Sequence, residues 1–118
     1  MKRSGTRSNE AFWWSLFSAG GVMSALFVPV LIVLTGFVLP FAGDPAASYH
    51  RVAHALSFWV VRIVLLGIVT LSFFHCAHRI RHVLPTVGLR ITPGLLAVLC
   101  YGGAFAGSVA TFAALVRL

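Results

Sequence analysis

The chain has 118 residues, 59% of them hydrophobic and 9% charged, with a mean hydropathy of +0.97. A soluble domain is about 45–50% apolar and about 25% charged, and a chain this short has no interior volume to hide the excess, so a free-standing soluble domain and a disordered chain are both excluded. Nine Lys plus Arg against two acids give a net charge of +7, which in a lipid-embedded chain marks a membrane side before it marks a nucleic acid.

The N-terminal tail is short and polar and carries Lys2, Arg3 and Arg7. No charge then occurs between Glu10 and Asp44, and Val22 to Phe41 is almost wholly apolar. About 20 apolar residues cross roughly 30 Å of hydrocarbon, so a first transmembrane helix is expected over 12–41. This stretch is far longer than the roughly 7–15-residue core of a signal peptide and is expected to be retained. Pro29 lies inside it, where a bend is expected. Asp44-Pro45 starts a turn over residues 43–48. A second helix is expected over 50–82, with an apolar run from Ala53 to Phe74 that Arg62 interrupts. Residues 85–93 form the next connection. A third helix is expected over 93–116, with Thr92 as N-cap and Pro93 as first helical residue, where a missing N–H costs nothing. Strands of a membrane barrel would alternate polar and apolar over about ten residues, and these segments do not. The expected fold is an all-α integral membrane bundle of three transmembrane helices, one anchor domain over 1–118.

Lys and Arg set the orientation. The N-terminal tail and the connection carrying Arg79, Arg81 and Arg90 are the basic ends, whereas the first connection has Asp44 and Arg51 and the C-terminus has Arg117. The positive-inside bias puts the N-terminus and the second connection in the cytoplasm and the C-terminus outside. No nucleic-acid partner is needed to explain the charge. Gly20, Gly21 and Ser24, and the Gly103-Ala104-Phe105-Ala106-Gly107 segment, mark where helices can approach closely.

The densest polar cluster is Phe74-His75-Cys76-Ala77-His78-Arg79-Ile80-Arg81-His82. At about 100° per residue, His75, His78, Arg79 and His82 share one stripe, from which Arg81 points away. Such groups are expensive against lipid, so the stripe should face a partner or a polar site; the bland alternative is arginines reaching head groups and histidines packed at the interface. Imidazoles exchange protons near neutral pH and a guanidinium can hold an oxygen, which suits proton-coupled redox chemistry. No carboxylate or thiolate cluster completes a metal site here. Phe12, Trp13, Trp14 and Phe17 lie at the same depth in the first helix. They suit either an interfacial belt or a pocket wall, with one tryptophan turned inward and its neighbour to lipid. Arg62 lies about 9 Å or more below the outer surface by helical rise, and with no acid at that depth it is expected to reach outward or meet a partner chain. Cys76 and Cys100 fall in separate helices as small packing residues.

The segment from Trp13 to Ala25 followed by Pro29, the Ser48-Tyr49-His50-Arg51-Val52 segment followed by Arg62, and above all His78-Arg79-x-x-His82 resemble the D subunit of bacterial fumarate reductase. The resemblance covers nearly the whole chain. It implies a hydrophobic anchor in the cytoplasmic (inner) membrane for a flavoprotein with covalent FAD and an iron–sulfur subunit. It also implies a menaquinol site shared with a second anchor (C) polypeptide, which would supply the proton-accepting acid. The residues matching the family's quinone site are Trp14, Arg79 and His82, with Phe17 and His78 close by. Fumarate reductases with two separate anchor polypeptides generally lack haem; His75, which precedes the motif, is the residue that would ligate one. The alternatives are a succinate dehydrogenase anchor, which usually carries haem, and a small membrane transporter, whose family has an embedded Glu that this chain lacks.

Overall fold

The computed structural model describes residues 9–88 and 90–118; Lys2, Arg3 and Arg7 lie outside them. Helix α1 (Glu10–Val33) keeps α geometry through Pro29. The departure comes instead at Leu34–Val38, which widens into a π turn before the short α2 (Leu39–Phe41). Pro40 explains the position, since a proline lacks an N–H and its ring crowds the carbonyl one turn back.

The turn expected over residues 43–48 is shorter than that. Gly43 adopts φ +91°, open to a residue without Cβ. Asp44 then caps a helix, its Oδ1 accepting from the Ala46 N–H at 3.0 Å, and Pro45 occupies the first position of α3 (Pro45–Ser57).

Where one helix was expected over 50–82 there are two, α3 and α4 (Trp59–Val83), because Phe58 is extended at φ −77°, ψ 120°. No Pro or Gly marks the break. What sustains it is satisfaction of the freed carbonyls. Ser57 Oγ donates to the His54 carbonyl at 2.7 Å, the Phe58 N–H reaches the Ala55 carbonyl at 3.4 Å, and Arg62 Nε donates to the Leu56 carbonyl. Beyond α4 a 3-10 turn, Leu84–Val87, ends at Gly88 with φ +90°. Helix α5 (Pro93–Arg117) begins where the sequence indicates, but Thr92 caps it with its backbone carbonyl, which accepts from the Leu96 N–H at 3.0 Å, and not with its hydroxyl.

Helix α4 is central, packing on α1 along one side and α5 along the other, while α1 and α5 scarcely meet. Glycines allow both approaches. A Cβ on Gly20 would lie 3.2 Å from the Leu71 carbonyl, and one on Gly107 would lie 2.9 Å from the Phe73 ring, whereas Gly103 faces open space. Among the described residues the buried apolar side chains are only Ala77, Leu96, Ala104 and Leu115. Phe12, Trp13, Trp14, Phe37, Phe41 and Trp59 are between 63% and 82% exposed. At about 1.5–3 kcal/mol per large apolar side chain, leaving these six out forgoes roughly 10 kcal/mol, comparable with the whole stability of a soluble domain. In lipid that loss does not arise. Three segments, Ala11–Phe41, Trp59–Val87 and Pro93–Arg117, are long and apolar enough to cross a membrane. The protein is an all-α, multi-pass membrane protein.

Candidate functional site

The histidine stripe of α4 comes to lie against the aromatic segment of α1, and the splay of α1 from α5 leaves a cavity of about 760 Å³ between them. Its walls are apolar: Trp13 and Trp14 from α1, Leu71 and Phe74 from α4. Both indoles line it, so the expectation of one tryptophan inward and one to lipid does not hold. The polar groups on the wall are few, with His75 and His78 from α4 joined by Tyr101 from α5.

Phe17 organises this end. Its ring stacks on His75 at 4.5 Å and 24°, meets His78 at 4.6 Å and 60°, and is edge-on to Trp14 at 6.3 Å. Its carbonyl accepts from His75 Nδ1 at 3.2 Å. Gly21 makes the fit possible, for a Cβ there would lie 2.8 Å from His75 Cε1. His78 Nδ1 is hydrogen-bonded to the Tyr101 hydroxyl at 2.9 Å, and its ring lies 4.5 Å from that of His82. The Arg81 guanidinium sits 5.7 Å from the centre of the Tyr101 ring, a cation–π contact.

Of the residues named from the sequence, the structure brings Trp14, Phe17 and His78 to the cavity wall, with His82 stacked just beyond it. Arg79 is exposed and does not line the cavity, although it shares the stripe. His75 does line it. Trp13, named with Phe12, Trp14 and Phe17 as a possible pocket wall, does line the cavity, and Tyr101 is the residue that sequence reasoning missed. A tyrosine within an apolar span carries a hydroxyl that needs a partner, and that was the available signal for Tyr101. Among the described residues no three His, Cys, Asp or Glu side chains are grouped to hold a metal ion.

At the other end of α4, Arg62 finds its partners within the chain. It donates to the Leu56 carbonyl at the helix break, and its Nη1 donates to the Leu115 carbonyl of α5 at 3.1 Å. Both carbonyls belong to last turns, where backbone acceptors lack intrahelical donors. Backbone acceptors leave no trace in a sequence, which is why these two intrachain partners of Arg62 were not anticipated.

The chain matches the family of fumarate reductase D subunits over residues 4–116. It is 40% identical over 108 residues to the fumarate reductase D subunit of Mycobacterium tuberculosis (strain ATCC 25618 / H37Rv), covering 90% of this chain and 86% of that protein. It is 31% identical over 110 residues to the fumarate reductase D subunit of Vibrio campbellii, covering 91% and 85%. With the fumarate reductase D subunit of Aliivibrio fischeri it shares 32% identity over 84 residues, 70% of each chain.

Proposed function

Because the chain belongs to the family of fumarate reductase D subunits, we propose that it anchors the flavoprotein and iron–sulfur subunits of a quinol:fumarate reductase to the cytoplasmic membrane and, with the second anchor polypeptide, forms the menaquinol site. The observation that carries this is the cavity at the histidine end of α4. Its volume falls within the roughly 300–1,000 Å³ of small-molecule sites, and its few polar groups converge on one wall. Flat indole and phenyl walls suit a fused aromatic head group, and imidazoles suit its oxygens.

A bound quinol supplies electrons for the iron–sulfur partner and hydroxyl protons that must leave as the electrons do. His78 is placed for the proton. With Nδ1 bonded to Tyr101, its Nε2 is the ring nitrogen left to meet a ligand oxygen. The adjoining His82 ring continues the path to the end of α4, which the Lys and Arg distribution puts on the cytoplasmic side. Trp14 and Phe17 hold the head group flat. Arg79, on the exposed face next to this wall, is turned to the side that the second anchor and the iron–sulfur subunit would close, and the carboxylate that this end lacks would come from them. FAD and the iron–sulfur clusters belong to those partners, and the anchor works without haem.

In the assembled complex, Trp14→Ala and Arg79→Leu are expected to lower quinol-linked fumarate reduction while reduction from an artificial dye donor survives. Equal loss of both activities would mean a role in assembly only, and a b-type haem absorbance would point to the succinate dehydrogenase type of anchor.

A further inference from the structure

We propose that His75 is a specificity-determining residue of this site, an imidazole fixed as a hydrogen-bond acceptor that favours the hydroxyl-bearing, reduced form of the ligand over the carbonyl-bearing, oxidised form. The proposal rests on the quinol site described above and goes beyond it. It begins with one contact. His75 Nδ1 lies 3.2 Å from the Phe17 carbonyl, and a carbonyl oxygen can only accept, so the hydrogen is on Nδ1. In a neutral imidazole the other nitrogen is then an acceptor with no hydrogen to offer. Nε2 has no hydrogen-bond partner among the described residues, and the ring it belongs to lines the cavity.

The ring has little freedom to change this assignment. One face is stacked on Phe17 at 24°. Its Cε1 edge is packed so closely on α1 that a Cβ on Gly21 would stand 2.8 Å from Cε1 and 3.4 Å from each ring nitrogen, so a ligand reaches Nε2 from the cavity side of the ring and not from α1; a Cβ on Gly20 would stand 3.4 Å from His75 Cβ. A ring flip would put Cδ2 in place of Nδ1 and abandon the Phe17 carbonyl. His78 differs in this respect. Its partner is the Tyr101 hydroxyl, which can donate or accept, so its free nitrogen can serve a hydroxyl or a carbonyl equally. The wall therefore holds one adaptable imidazole and one fixed imidazole. A ligand hydroxyl donates to His75 Nε2; a ligand carbonyl in the same place sets lone pair against lone pair.

The test uses the assembled complex with 2,3-dimethyl-1,4-naphthoquinol as donor to fumarate, and the corresponding naphthoquinone as acceptor from succinate. His75→Asn keeps an amide N–H for the Phe17 carbonyl and removes the Nε2 acceptor. His75→Gln puts an amide oxygen near the Nε2 position. One lost hydrogen bond corresponds to about a fivefold to tenfold change in affinity. The expected result is a KM for the quinol raised by that factor in His75→Asn, a KM for the quinone unchanged or lowered, and most of the quinol effect reversed in His75→Gln. Equal rises for both forms would overturn the proposal, as would a b-type haem absorbance that disappears in His75→Asn. Dye-linked fumarate reduction in membranes reports assembly independently; failure of both variants to assemble would make His75 a packing residue and also end the proposal. A wild-type complex active with dye but with neither naphthoquinol nor naphthoquinone would remove the site itself, a failure distinct from unequal or equal shifts in the variants.

Discussion

The two ends of α4 solve the problem of polar groups in a membrane in opposite ways. At the Arg62 end a full positive charge is tied back to the chain, two of its five N–H donors going to the Leu56 and Leu115 carbonyls. At the other end His75, His78 and Tyr101 face a cavity of about 760 Å³ and keep capacity in hand. The guanidinium carries the larger charge, and its partners among the described residues are both backbone carbonyls. The weaker, titratable groups are those left open. Charge alone does not mark a candidate site in a membrane; a cavity of about 760 Å³ on which several polar groups converge, against about 260 Å³ beside Arg62, carries more weight.

Variants can break this comparison, and the largest effect is expected at the open end. His78→Leu removes a group placed to take a proton, worth about 10²- to 10⁴-fold in rate, so quinol-linked turnover should fall in that range while dye-linked fumarate reduction stays near wild type. Gly21→Val comes next. A Cβ alone approaches His75 Cε1 to 2.8 Å, so the ring must shift from the Phe17 carbonyl, and the KM for quinol should rise by about fivefold to tenfold, as in His75→Asn; steady-state rates with quinol and dye separate this from lost assembly. At the closed end the sign of the comparison reverses. Arg62→Leu should leave quinol turnover per assembled complex near wild type, but it strips two carbonyls of their donor at about 1–3 kcal/mol each, lowering the midpoint of thermal dissociation in detergent. If Arg62→Leu instead lost turnover without lost stability, the two ends would not differ as described. The smallest effects sharpen the account of the caps. Asp44→Ala should cost about 1 kcal/mol because its carboxylate holds the Ala46 N–H. Thr92→Ala should stay within about 0.5 kcal/mol because its hydroxyl caps nothing; paired denaturation curves compare them.

Much of this architecture was legible in the residues. Charge-free runs located the three spans, Pro93 marked the start of α5 to the residue, and the spacing of His75, His78 and His82 put them on one face. The aromatic wall followed from Trp14 and Phe17 at matching depth. Three things were hidden. The break at Phe58 has no Pro or Gly because it is held by a side chain from the next helix and a serine hydroxyl. The partner of Arg62 was backbone, which every sequence possesses equally. Tyr101 joined the site through the packing of α5 on α4, a long-range fact that no local period carries. The Gly103–Gly107 pair divides in the same way, one glycine receiving Phe73 and the other facing out. Spacing marks a capacity for close approach; only the neighbour decides which residue uses it.

The clamp at Arg62 also bears on how the chain enters the membrane. An arginine at the centre of a membrane helix costs about 2.5–3.5 kcal/mol to insert, and Arg62, in the first turn of its span, faces a smaller cost. The Leu56 carbonyl travels in the same segment and is available as soon as α4 forms, whereas the Leu115 carbonyl belongs to the last turn of the last helix. Arg62 thus ties a carbonyl six residues before it to one 53 residues after it, and the second of these contacts exists only once α5 is packed on α4.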